Sequence, residues 1–198
     1  VIHALWRELL STGVPELLAV VLGVVYILLI FKRNRLAWIA GALSSGIYVY
    51  LSARAQLPMQ ALLQCYYVLM AGYGWYVWTR AQGQQGGGIG RWPWRWHLLS
   101  LCVIALLSVL TAQWLRRETH AAWPYLDSAT TWTSLFATWL VARLKLENWL
   151  YWIAADAVTM FLFAAQGHPF SSGLFATYMV IALFGYREWL QKYRRQRP

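Results

Sequence analysis

Glu147-Asn148-Trp149-Leu150-Tyr151-Trp152-Ile153-Ala154-Ala155-Asp156 opens an apolar segment that continues to Ala165. Polar residues at its front edge and aromatics at helical spacing predict a membrane-crossing helix with one acid held deep inside it. A carboxylate at mid-membrane depth costs about 2.5–3.5 kcal/mol on insertion scales, so such a residue has a partner and a use. Trp149 and Trp152 share its helical face, and indole faces attract flat cations.

The rest of the chain agrees with a membrane setting. Only 12% of its 198 residues are charged and 60% are apolar, whereas a soluble domain has about 25% charged residues. Trp6, Trp92, Trp94, Trp96, Trp114 and Trp123 fall near span ends, where tryptophan belts form. The net charge of +10 comes from short basic clusters between apolar runs rather than from one face, which argues for membrane topology and against nucleic acid. Cys65 and Cys102 both fall inside spans and read as small packing residues, not as a disulfide or metal pair. The first residue is not Met and no cleavage pattern is visible, so the first span is expected to be retained.

Apolar runs predict seven helices, at about 15–31, 36–53, 58–79, 96–115, 126–143, 147–165 and 171–190. With the N-terminus outside, the inner loops and C-terminus hold Lys32, Arg33 and Arg35, then Arg80, Arg91 and Arg95, then Arg143 and Lys145, then Arg187, Lys192, Arg194, Arg195 and Arg197. The outer segments hold Arg7, Arg54, Arg116 and Arg117. Thirteen against four predicts N-out and C-in. The glycine-rich stretch from Gln82 to Gly90 lacks the Lys-Ser/Thr ending of a phosphate loop and reads as a flexible linker.

One constant shift superposes the chain on itself without a gap. It carries Trp38 onto Trp149, Pro58 onto Pro169, Tyr67 onto Tyr178, Gly74 onto Gly185 and Trp78 onto Trp189. Leu51, Ala53, Leu63 and Ala71 also match Leu162, Ala164, Leu174 and Ala182. The expected architecture is therefore all-α and 3+1+3: a three-helix repeat at 15–79, a linker with a fourth helix at 80–125, and a second three-helix repeat at 126–190. The odd fourth helix makes the repeats parallel, a SWEET-like plan used by carriers with a site between the bundles.

Two stripes are candidates to line that site. Trp149, Trp152, Asp156, Thr159 and Phe163 follow helical spacing on the sixth span, and Gln60, Gln64, Tyr67, Ala71, Gly74 and Trp78 on the third. Trp38, the repeat partner of Trp149, joins them. Gln64 can equally serve as interhelical glue, Trp149 as an interfacial anchor, and Asp127 as a cap of the fifth helix. On the second span Ala37, Gly41 and Ser45 have the small-residue spacing of close helix approach. His3, His97, His120 and His168 lack ligand spacing, and the seven acids are dispersed, so neither a metal nor another cofactor is expected. The lysines, Lys32, Lys145 and Lys192, sit at span ends, which argues against a retinal receptor. An enzyme is not expected, because clustered carboxylates are missing, and no ATP-binding motif is present.

Leu62-Leu63-Gln64-Cys65-Tyr66-Tyr67, Tyr73-Gly74-Trp75-Tyr76-Val77-Trp78, Glu147-Asn148-Trp149-Leu150-Tyr151-Trp152 and Gly185-Tyr186-Arg187-Glu188-Trp189, in this order, resemble the PnuC family of bacterial vitamin transporters. The resemblance runs from the first span to the C-terminus. It implies a seven-helix carrier in the bacterial inner membrane, a homotrimer, taking up nicotinamide riboside by facilitated diffusion. A cytoplasmic kinase then traps the substrate by phosphorylation. Related branches carry thiamine or riboflavin. The substrate positions implied here are Gln64, Tyr67, Trp149, Trp152 and Asp156. Nicotinamide riboside carriers of the family often have Asn where this chain has Asp156 and Ala71, a departure that raises thiamine as an alternative. A sugar carrier of the SWEET type shares the plan and is the more distant alternative.

Overall fold

Proline sets the start of four helices. In the computed structural model, which describes residues 13–54, 58–82, 88–118, 123–167 and 169–196, seven helices follow one another. They are α1 (Val14–Phe31), α2 (Leu36–Arg54), α3 (Pro58–Gln82), α4 (Trp94–Glu118), α5 (Pro124–Ala142), α6 (Asn148–Ala165) and α7 (Pro169–Arg195). Pro15, Pro58, Pro124 and Pro169 lie in first turns, where the missing N–H is no loss. By length and composition α1, α2, α4 and α6 can cross a membrane. α3, α5 and α7 are richer in amide, hydroxyl, aromatic or basic groups, which a helix tolerates where it faces protein rather than lipid.

The chain divides into two compact units, residues 1–87 and 88–198. In the first, α2 packs against both α1 and α3. In the second, α6 packs against both α5 and α7, and α4 packs against α5. Close approach is secured by one contact in each unit. Trp38 meets Trp78 edge to face at 5.5 Å and 87°, and Trp149 meets Trp189 at 5.6 Å and 87°. Gly74 lies beneath the Trp38 ring and Gly185 beneath Trp149, each so close that a Cβ would overlap the indole. The three residues of one contact are the repeat partners of the three in the other.

The turns before α2 and α6 also correspond. Arg33 (φ 56°) and Leu144 (φ 54°) are left-handed. Asn34 N–H donates to Leu29 C=O at 2.9 Å, and Lys145 N–H to Leu140 C=O at 2.9 Å. Arg33 N–H donates to Ile30 C=O and Leu144 N–H to Val141 C=O, both at 3.0 Å. This is the Schellman closure, reached without glycine at about 1–2 kcal/mol per left-handed residue. Burial of Leu144 and Leu146 offsets that strain in the second unit.

Several sequence expectations change here. The end of the glycine stretch is not a free linker. Gly90 forms a parallel bridge with Lys145, accepting from Leu146 N–H at 3.0 Å and donating to Leu144 C=O at 2.9 Å. Ile89 beside it is buried. A side chain at 90 would meet the Lys145 amine, the mobile end of a long side chain that can move aside. Residues 83–87 of the stretch lie outside the described residues. Trp92 is not a belt residue: it packs against Phe136 and Trp139 at 5.9 and 5.2 Å, beside a core of Ile104, Ala137, Leu140 and Tyr151. Trp94 and Trp96 are exposed, as belts require. Cys65 and Cys102 are free thiols at exposed positions rather than packing residues. Asp127 does not cap α5, whose cap position is Trp123 with no side-chain hydrogen bond. Instead its carbonyl accepts the Thr130 and Thr131 hydroxyls at 2.9 Å each.

Candidate functional site

α6 carries the acid that defines the candidate site. Asp156 sits midway along the helix and keeps only 6% of its surface exposed. Among the described residues no ion pair and no hydrogen bond reaches its carboxylate. Tyr178 of the neighbouring α7 is one group close enough to feel its charge. A buried carboxylate left in this state is costly unless a cation or a donor completes it.

Aromatic rings occur along the same two helices. Phe163 of α6 stacks on Phe175 of α7 at 5.5 Å and 12°, and Phe175 meets Tyr178 edge-on at 5.8 Å. Trp152, one turn before Asp156, is half-buried and packs against the Ile104–Ala137–Leu140–Tyr151 core. Thr159 turns its hydroxyl back onto Ala155 C=O at 2.8 Å. Tyr178 was not among the site residues read from sequence. The signal was present, since Tyr178 is the repeat partner of the candidate Tyr67.

The remaining candidates divide. Trp149 is buried at 5% exposure against Gly185 and Trp189, and Trp38 at 2% against Gly74 and Trp78. Their faces are spent on packing within their own units. Gln64 and Tyr67 of α3 are half-buried in the first unit, and the described residues give neither side chain a hydrogen bond. Gln60 lies in the first turn of α3, and its side chain is outside the described residues. No group of His, Cys, Asp and Glu suited to a metal occurs among the described residues.

A polar knot fixes the entry to α6. Glu147, 6% exposed, accepts Arg91 Nε–H at 3.0 Å and Trp92 N–H at 3.3 Å. The hydrogen bond to Glu147 raises the Arg91 guanidinium above its ordinary pKa. The Asn148 amide donates to Lys145 C=O at 2.6 Å, and His97 and the Tyr151 hydroxyl share a hydrogen bond of 3.0 Å. These contacts orient the first turn of α6 and so the register in which Trp152 and Asp156 follow.

This architecture has known counterparts. The crystal structure of the vitamin B3 transporter PnuC has the same fold, with a TM-score of 0.74 at 22% identity over 98% of this chain and 88% of that one. The riboflavin/roseoflavin transporter RibM of Streptomyces davaonensis is 25% identical over 199 residues, covering 98% of this chain and 88% of that protein. The nicotinamide riboside transporter PnuC of Escherichia coli is 26% identical over 182 residues, covering 79% of this chain and 76% of that protein. The family model for the nicotinamide mononucleotide transporter matches residues 13–191, almost the whole of the seven-helix body, and the chain belongs to that PnuC family of membrane vitamin transporters rather than to a family of enzymes.

Proposed function

We propose that this protein is a facilitated-diffusion carrier in a bacterial inner membrane whose first substrate is nicotinamide riboside. One observation carries the choice: Asp156 is a buried acid with no partner among the described residues, in a span that also bears Trp152. A pyridinium ring supplies both a positive charge for the carboxylate and a flat face for an indole. The uncharged ring of riboflavin supplies only the face. Thiamine, with its cationic thiazolium, remains the second cationic reading.

The contacts that recur at repeat-related positions support a 3+1+3 plan with parallel repeats, and the thirteen-to-four split of basic residues supports an N-out, C-in orientation. Transport then proceeds by rocking of three-helix bundles about a fixed site. Neither a nucleotide motif nor a second mid-span acid is found in the sequence, so flux follows the gradient. Phosphorylation by a cytoplasmic kinase makes uptake one-way, and a homotrimer is the expected assembly.

Calorimetric titration of the detergent-purified protein with nicotinamide riboside, thiamine and riboflavin tests the choice. Nicotinamide riboside is expected to bind, and Asp156→Asn to weaken it about tenfold, equivalent to about 1.4 kcal/mol. Binding of riboflavin alone, or unchanged affinity in folded Asp156→Asn protein, would overturn it.

A further inference from the structure

Two segments of the second unit are tied into one edge. Gly90 is bridged to Leu144 and Leu146, Arg91 is held by Glu147, and the amine of Lys145 lies beside Gly90. Trp92 packs on Trp139 at 5.2 Å, and the Arg143 guanidinium lies over the Trp139 ring at 5.3 Å. Trp96, in the first turn of α4, has its ring 6.1 Å from that of Trp92. These contacts bring three cations and three indoles to one place on the fold.

Residues 88–96 and 143–147 hold four cations, the three above and Arg95, and one acid, Glu147. Glu147 is buried and already engaged by Arg91 and the Trp92 N–H. Arg95 and Arg143 are exposed and 56% of the Arg91 side chain is in solvent, so the excess positive charge is presented outward. No acid among the described residues pairs with Lys145. Charge alone would suit any soluble anion, but the neighbouring surface would not. Trp94 and Trp96 are 69% and 52% exposed, and the next turns of α4 expose Leu98, Leu99, Leu101 and Leu106. Indoles favour the headgroup level of a bilayer and leucines its interior. A second copy of the chain seated here would take the cations out of water, and the acid of this edge is already spent.

We propose that this edge binds an anionic phospholipid. Arg95, Arg143 and Lys145 face its phosphate, Trp94 and Trp96 lie at the glycerol level, and its chains run along α4. Basic clusters beside membrane helices attract such headgroups, guanidinium as a fork and ammonium as a point charge. Because Arg91 and Trp92 also hold Glu147, a lipid on this edge braces the entry to α6. The site serves the membrane and not the carried solute.

The test is the thermal midpoint of the detergent-purified full chain with phosphatidylglycerol, phosphatidylcholine or inorganic phosphate added. Phosphatidylglycerol at ten times its dissociation constant is expected to raise the midpoint by about 3–6 °C, and the other two by less than about 1 °C. Arg143→Gln combined with Lys145→Gln is expected to lose at least half of that rise, measured against its own lipid-free midpoint. Arg116→Gln combined with Arg117→Gln removes the same charge from the last turn of α4 and is expected to keep the rise. An equal rise with phosphatidylcholine, a rise with inorganic phosphate, or a full rise in the Arg143–Lys145 variant would overturn the assignment. A smaller species on size exclusion for that variant would place a second copy on the edge and overturn it equally.

Discussion

Alanine at Gly185 should destabilise the protein, whereas alanine at Gly173 on the same helix should not. In isolation each change favours the helix by roughly 1 kcal/mol, because alanine has less backbone freedom to lose. What separates them is the surroundings. A Cβ at Gly185 would meet Trp149 Cη2 and Cζ3 at 2.5 Å and Cε3 at 2.7 Å, while a Cβ at Gly173 meets nothing within 4 Å. The Trp149 ring cannot swing aside freely, because it is 5% exposed and stands edge-on against Trp189, which is fully buried. Overpacking of this kind costs about 1–3 kcal/mol. The helix gain cancels in the difference between the two variants, leaving that steric cost alone. For a chain of this length it separates their thermal midpoints by about 2–12 °C. The first unit repeats the experiment with Gly74, beneath Trp38, against Gly72, which is open. The assay is the midpoint of each detergent-purified variant, followed by size-exclusion recovery after heating so that tryptophan emission is not the readout. A Gly185→Ala midpoint equal to or above that of Gly173→Ala would refute the account of why these glycines are where they are.

Glu147→Ala is expected to cost about 2 kcal/mol, since the buried carboxylate serves both Arg91 and the Trp92 N–H. Arg91→Ala should cost under about 1 kcal/mol, because 56% of that side chain is in solvent; equal losses in chemical denaturation would count against the ranking. The raised Arg91 pKa places the arginine's contribution fully below its unfolded pKa and loses it only as pH rises through the folded one, so a stability profile between pH 6 and 9 should show no step from Arg91. Trp92→Ala should lower the thermal midpoint clearly and Trp94→Ala hardly at all, since the first packs on Phe136 and Trp139 while 69% of the second is exposed. A fluorescent protein fused after Pro198 should fluoresce in intact cells if the C-terminus is inside; a dark fusion with full membrane expression would reverse the proposed orientation.

Helix positions were legible because membrane helices declare themselves by length, and the observed ends lie within about five residues of those read from sequence. The pairing of Trp38 with Trp78 and of Trp149 with Trp189 was half-legible: the register showed which residues corresponded, not that they touched. The turns at Arg33 and Leu144 gave no signal, since a left-handed residue is read from Gly or Asn and neither is present. Trp92 misled because an indole near a span end looks the same in sequence whether it faces headgroups or Phe136. The attachment of Gly90 to Lys145 was hidden by composition, because a glycine-rich stretch reads as loose chain whether or not its end is tied to a neighbour. Asp156 stood out for the opposite reason: one acid in an apolar span is an energetic anomaly that needs no neighbours to be noticed.

Repeat-related positions of the two units agree in one layer and part in the next. Positions that hold helices together are the same in both repeats: the paired tryptophans, the glycines beneath them and the left-handed turns. One layer further along, the correspondence breaks. Tyr26 and Gly41 answer to Ala137 and Trp152, and Ser45 answers to Asp156. The first exchange moves one ring from one helix to its neighbour, so each unit keeps an aromatic side chain in the layer while its polar equipment changes. Packing alone gives no reason for an acid at 156 where serine suffices at 45, because the acid is the more expensive residue to bury and has no partner among the described residues. A cationic ligand does give one. The substitution Asp156→Ser restores the correspondence and leaves the packing layer untouched; it should therefore raise the thermal midpoint of the ligand-free protein while abolishing discrimination between cationic and neutral ligands. An Asp156→Ser protein less stable than the parent would mean the acid has a structural partner, and the argument for a cation at this place would fall.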